Sequence, residues 1–144
     1  MNIIKSIVIC ILCFVLTIFQ AYCAMGEYSS NISSACIDCS FHVELIIQAL
    51  ITVAPIFFIQ VIFDRIKWSK WFSLIVILVY LIIMWFKYIN VGIFETREAD
   101  WSTFSENEIN IEVLSKSTMP IIICISLYII FFVLINKKFT KNFK

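Results

Sequence analysis

Four long apolar stretches restrict the fold of this chain more than any other feature. They cover residues 6–26, 45–63, 71–94 and 117–136, and Lys87 in the third is the only charged residue within them. Each is close to the ~20 residues that an α-helix needs to cross the hydrocarbon core of a bilayer. The stretches therefore predict an all-α membrane protein, a bundle of four transmembrane helices.

Composition supports this class and argues against most enzymes. Of the 144 residues, 62% are hydrophobic and only 15% are charged. Two glycines, two prolines and one histidine leave little material for a Gly-rich phosphate loop, a histidine-built metal site or a His-based catalytic triad. We expect a non-enzymatic protein with no metal or other cofactor, no nucleic acid partner and no small-molecule substrate.

The charges between the spans alternate in sign and predict the orientation. Lys5, the turn at 64–70 and the tail at 137–144 carry eight basic residues against Asp64, a net charge of +7. The segments 27–44 and 95–116, with the adjoining helix ends, sum to −6. Because Lys and Arg are retained on the cytoplasmic side, both termini are predicted to be cytoplasmic and the two acidic loops to lie outside.

No connecting segment is long enough to separate domains. The chain is therefore predicted to form a single membrane domain over residues 1–144. The first span has an alternative interpretation, because Lys5, the apolar stretch after it and small residues at Ala21 and Cys23 also fit a secretory signal cleaved before Ala24. Cleavage would leave three spans without changing the orientation of the rest.

Local signals in the second outer loop disagree with one another. Ser105 followed by Glu108 matches a helix-capping box, whereas Ile109, Ile111 and Val113 alternate as in a strand. These alternatives stay open at this point. The fourth span is expected to begin near Thr118, which can cap a helix, with Pro120 in the first turn.

Three of the six cysteines are predicted to face the outer compartment. Cys36 and Cys39 form a Cys-Ile-Asp-Cys motif just before the second span, and Cys23 ends the first. The simplest interpretation is one structural disulfide, with three pairings open and one thiol left over. The alternative is a redox pair, whose placement resembles that in quinone-coupled membrane proteins that make disulfides.

Polar side chains within the spans are the candidate partner-binding residues, because each is disfavoured in hydrocarbon unless it faces another helix or a partner. One interpretation is a packing seam between the protein's own helices. The other is a face on which another membrane-embedded protein docks. The set comprises Gln48, Thr52, Pro55 and Gln60 in the second span, Lys87 and Asn90 in the third, and Ser126 and Tyr128 in the fourth.

Over residues 47–137 the order of several short motifs resembles the immunity proteins that protect bacteria from pore-forming colicins, the type associated with colicins A, B and N. The matching elements are, in order, Thr52-Val53-Ala54-Pro55, the basic turn at 64–70, Asn90, Glu95-Thr96, Leu127-Tyr128 and Phe131-Phe132. The resemblance implies an inner-membrane protein that binds the pore-forming domain of a toxin and keeps its channel closed. Its partners would be that domain and the lipid bilayer.

Three other functions are compatible with the sequence. An accessory subunit would co-purify with a larger membrane complex in a fixed ratio. A thiol-redox protein would lose its function when Cys36 or Cys39 is replaced by serine. A holin-like pore former would depolarise its own host.

Overall fold

The computed structural model describes residues 3–66 and 69–141, and side chains up to residue 138. In this part of the chain all regular structure is helical, and four helical stretches are long and apolar enough to cross a membrane. The prediction of an all-α bundle of four membrane-spanning helices is confirmed. The elements are α1 (Ile3–Met25), a 3-10 helix (Gly26–Ser30), α2 (Phe41–Ile66), α3 (Lys70–Ile83), a π-helix (Met84–Asn90), α4 (Val91–Arg97), a second 3-10 helix (Ala99–Trp101) and α5 (Glu106–Lys141).

The fourth span begins earlier than the sequence predicted. Helix α5 starts at Glu106, so Pro120 lies inside the helix, and Thr118 donates a hydrogen bond to the carbonyl of Leu114 instead of capping. The capping box is present at the true start, where the Ser105 N–H donates to Glu108 Oε2 at 2.8 Å. With 36 residues, α5 is about 54 Å long, so its first turns extend beyond the hydrocarbon core.

Strand formation at residues 109–113 is therefore excluded, and the reason is visible in the packing. Ile109 and Val113 are one helical turn apart and are both buried, whereas Ile111 lies on the opposite face and is exposed. A helix satisfies the backbone groups of this segment while burying two of the three apolar side chains. The expected 95–116 loop is mostly helical.

Helix α1 lies at the centre of the bundle and packs against α2, α5 and the π-helix. Its buried positions recur every three or four residues along its whole length. They are Ser6, Ile9, Cys13, Leu16, Thr17, Gln20, Ala21, Ala24 and Met25. Cleavage before Ala24 would remove this central helix, so the packing favours four spans over three.

The ends of the bundle differ in charge as the sequence predicted. At the acidic end, residues 26–44 meet residues 95–116, and the Ser34 N–H donates to the carbonyl of Thr96 at 2.7 Å. The basic end is formed by the start of α1, the end of α2, the start of α3 and the end of α5. There, Lys5 lies close enough to Asp64 and Lys70 to interact with both electrostatically. Lys67 and Lys144, which contribute to the predicted positive side, lie outside the described residues. The direction of insertion stays a prediction.

Candidate functional site

The third span changes its helical form midway. Between α3 and α4, residues Met84–Asn90 form a π-helix. The wider turn directs Trp85, Ile89 and Asn90 into the bundle, where all three are fully buried, and leaves Lys87 exposed. Segments of π-helix are rare in proteins, and those that do occur are often located at functional sites. This segment is therefore the first candidate for a functional region in the membrane domain.

Two buried hydrogen bonds hold the π-helix in place. The indole Nε1 of Trp85 donates to Thr17 Oγ1 on α1 at 2.9 Å, and Asn90 Nδ2 donates to Ser117 Oγ on α5 at 2.9 Å. Each bond joins the third span to a different helix. Because a polar group inside the membrane needs a protein partner, these bonds fix which side of the π-helix faces the bilayer.

The face turned to the bilayer forms a groove with α5. We call it the bilayer-facing groove, and its volume is about 350 Å³. Its walls are almost entirely apolar, and several of the lining side chains are exposed. The lining residues are Ile82, Ile83, Phe86 and Lys87 from the third span and Leu114, Thr118, Ile121 and Ile122 from α5.

Lys87 supplies the only charge in this lining. Its Nζ lies 3.3 Å from Oδ1 of Asn110, a residue near the start of α5. Lys87 therefore extends towards the acidic end, as expected for a lysine whose ammonium reaches the membrane interface. In the part of the chain that the structure describes, Lys87 forms no ion pair with an acidic side chain, so the ammonium has capacity to bind a further acceptor.

The eight polar residues predicted as a partner-binding face do not share one surface. Thr52, Gln60, Asn90 and Tyr128 are buried among the protein's own helices. They belong to the packing seam of the first interpretation, and the Asn90 side chain, for example, donates from Nδ2 to Ser117 Oγ at 2.9 Å. A partner cannot reach these four side chains without opening the bundle.

The other four residues lie at the surface or at its edge. Pro55, Lys87 and Ser126 are exposed, and Gln48 is half-buried. The buried face of α2 follows Leu45, Ala49, Thr52, Ile56 and Gln60, which turns Gln48 and Pro55 to its edge. Of the whole predicted set, Lys87 alone lines the bilayer-facing groove.

Sequence reasoning missed several residues that build this site. Thr17 and Ser117 each anchor the π-helix, and their spacing gave no signal that they would pair with Trp85 and Asn90. The apolar groove residues look the same in sequence as any lipid-facing residue. Thr17 differs from its neighbours in the sequence only in being a polar residue within an apolar span. A search of the first span for polar residues would have found Thr17 together with the fully buried Gln20.

Arg97 organises the acidic end. The side chain is 2% exposed, pairs with Glu44 at 2.8 Å and lies over the Phe41 ring, 5.2 Å from its centroid. It also donates to the carbonyl of Asn31. Arg97 thus connects the two outer segments and holds the start of α2 against the end of α4.

The second basic residue of the acidic end, Lys116, is also paired, with Glu27 and with Glu112. Six further carboxylates there have no Lys or Arg partner among the described residues. The acidic end therefore presents a net negative surface to anything that approaches it. The six are Asp38, Glu95, Glu98, Asp100, Glu106 and Glu108.

The cysteines have one pairing in the structure. Cys36 and Cys39 form a disulfide within the first outer segment, and Cys23 is an exposed free thiol. Cys10, Cys13 and Cys124 are free and lie within the spans. Of the three pairings that the sequence left open, the structure contains the one that closes the shortest loop.

Comparison of the chain with protein-family models, with curated proteins and with solved structures found no match.

Proposed function

We propose that the protein is a bacteriocin immunity protein of the bacterial inner membrane. It binds the pore-forming domain of a colicin-like toxin within the bilayer and prevents the channel from opening. The observation that carries this proposal is the bilayer-facing groove with Lys87 in its lining. The motif resemblance over residues 47–137 supports the same function.

The groove suits a membrane-inserted helix for physical reasons. Helices associate in a bilayer through close van der Waals packing and a few polar contacts, because lipid tails already solvate apolar side chains. A concave apolar surface between two helices offers the packing, and Lys87 offers one polar contact. Since the proposed action is to occupy the toxin's helices, no catalytic group is required of this chain.

The charge of the acidic end supports the same partner. A net negative surface attracts a basic protein segment over a distance comparable to the Debye length and raises the rate of encounter. A toxin that reaches the membrane from the outer side would meet this surface first, given the predicted orientation. We expect the acidic end to increase the association rate and the groove to determine the affinity.

Two neighbouring residues of α5 provide a matched test. Ile122 lines the groove and is 52% exposed, whereas Ile123 does not line it and is 48% exposed. Replacing Ile122 by tryptophan fills the groove, and replacing Ile123 adds the same bulk to the neighbouring bilayer-facing surface. With the pore-forming domain encoded beside the gene as the challenge, Ile122→Trp should lower protection at least about tenfold, a loss of ~1.4 kcal/mol of binding.

Protection is measured as the membrane potential of challenged cells, at equal membrane levels of each variant. Ile123→Trp should protect like the unchanged chain. Equal protection by both variants would contradict docking in the groove. If the flanking DNA encodes no protein with a long hydrophobic hairpin, or if the unchanged chain gives no protection, the immunity proposal ranks below the accessory-subunit alternative.

A further inference from the structure

A second cleft lies at the opposite end of the molecule from the bilayer-facing groove. It is formed where α3 begins and α5 approaches its end, and it has a volume of about 120 Å³. We call it the basic-end cleft. The lining residues are Lys70, Trp71, Phe132, Val133 and Asn136.

The lining combines polar and apolar residues. Lys70 and Asn136 supply the polar atoms, whereas Phe132 and Val133 supply apolar surface. Trp71 is 65% exposed beside them. Tryptophan at the end of a span is typical of the membrane interface, where one part of the side chain contacts acyl chains and the other contacts headgroups.

The surroundings of this cleft are cationic. Arg65, Lys137 and Lys138 are exposed at the same end of the bundle, and Asp64 is the only acidic residue there among the described residues. This charge distribution is the reverse of that at the acidic end, which carries the six carboxylates without basic partners among the described residues. A basic surface at the level of the headgroups attracts anionic lipids.

We propose that the basic-end cleft binds an anionic phospholipid. Its phosphate would lie at Lys70, and the upper part of one acyl chain would lie against Trp71, Phe132 and Val133. A lipid fits better than a soluble anion because three of the five lining residues are apolar or aromatic, and the apolar surface continues into the bilayer-facing surface of α5. The site is separate from the bilayer-facing groove, so the proposal does not depend on the toxin partner.

The test is native mass spectrometry of the full chain in detergent, titrated with phosphatidylglycerol and with phosphatidylcholine of identical acyl chains. The unchanged chain should retain phosphatidylglycerol about fivefold more tightly, as one productive lysine contact implies. Lys70→Gln should lower this preference, because it removes the lysine proposed to contact the phosphate. Lys87→Gln is the matched control, because it also removes a lysine beside an apolar groove, but at the acidic end. The preference of this variant for phosphatidylglycerol should equal that of the unchanged chain.

A second variant tests the apolar half of the cleft. Trp71→Ala should weaken retention of both lipids, since it removes packing surface without changing the charge. Equal retention of the two lipids by the unchanged chain would overturn the proposal, as would equal losses in Lys70→Gln and Lys87→Gln. Displacement of phosphatidylglycerol by millimolar inorganic phosphate would show a phosphate site in place of a lipid site and would also overturn it.

Discussion

Arg97 and Glu44 form a buried ion pair that joins the two outer segments, with Nη2 of the arginine 2.8 Å from Oε2 of the glutamate. Arg97 Nε also lies 3.2 Å from the same oxygen, so a single carboxylate oxygen accepts two hydrogen bonds from one guanidinium. The pair fixes the geometry of the acidic end. Removing this ion pair is expected to lower the stability of the protein, and any effect on the encounter with a partner would follow from that loss.

Replacing Arg97 by methionine should lower the free energy of unfolding by about 3 kcal/mol, because Glu44 would be left largely buried without its counter-ion. Unfolding in detergent micelles, followed by circular dichroism, measures the change. Lys116→Gln is the control, since its ion pairs are more exposed and should contribute at most about 1 kcal/mol. Equal effects of the two substitutions would show that Arg97 does not organise this end.

The hydrogen bond between Trp85 and Thr17 should appear as coupling between α1 and the third span. A double-mutant cycle of Trp85→Phe and Thr17→Val is expected to give about 0.6 kcal/mol, and at most about 1.7 kcal/mol, as for other hydrogen bonds inside membranes. Thr118→Val is the matched control, because its hydroxyl bonds only to its own helix. A cycle of Trp85→Phe with Thr118→Val should show no coupling, and coupling of similar size there would contradict the prediction.

Much of the fold follows from one-dimensional patterns. The apolar stretches identified four spans, and the charges between them predicted which helix ends meet. Thus Glu44 and Arg97, which are 53 positions apart, are both predicted from the sequence to lie in the outer part of the protein. In the structure their side chains form an ion pair there. Their pairing could not be predicted, since any of nine acids on that side was an equal candidate.

The candidate site was harder to predict, for a physical reason. In a bilayer, side chains that face lipid and side chains that face another helix are both apolar, so periodicity does not separate them. Ile121 and Ile122 illustrate this, because one is buried, the other is exposed, and both line the same groove. The π-helix at Met84–Asn90 was also unpredicted, since its residues gave no signal of a wider turn.

Under the proposed immunity function, removing the Cys36–Cys39 disulfide should leave protection intact. The bond closes a very short loop, so its entropic contribution to stability is about 2 kcal/mol. Cys36→Ser with Cys39→Ser is therefore expected to lower the unfolding temperature while protection against the toxin stays unchanged. Loss of protection at normal membrane levels would instead support the thiol-redox alternative, and Cys23→Ser provides the control for a general effect of losing an outer cysteine.

The first helix should be retained in the mature protein. Helix α1 packs against α2, α5 and the π-helix, and Thr17 on it accepts the hydrogen bond from Trp85. Peptide mapping of the chain purified from membranes should therefore find peptides from residues 3–23, which precede the predicted cleavage position at Ala24. A protein that begins at Ala24 would show that α1 is a cleaved signal. In that case Thr17→Val would have no effect on the stability of the mature protein, whereas retention predicts that the substitution destabilises it.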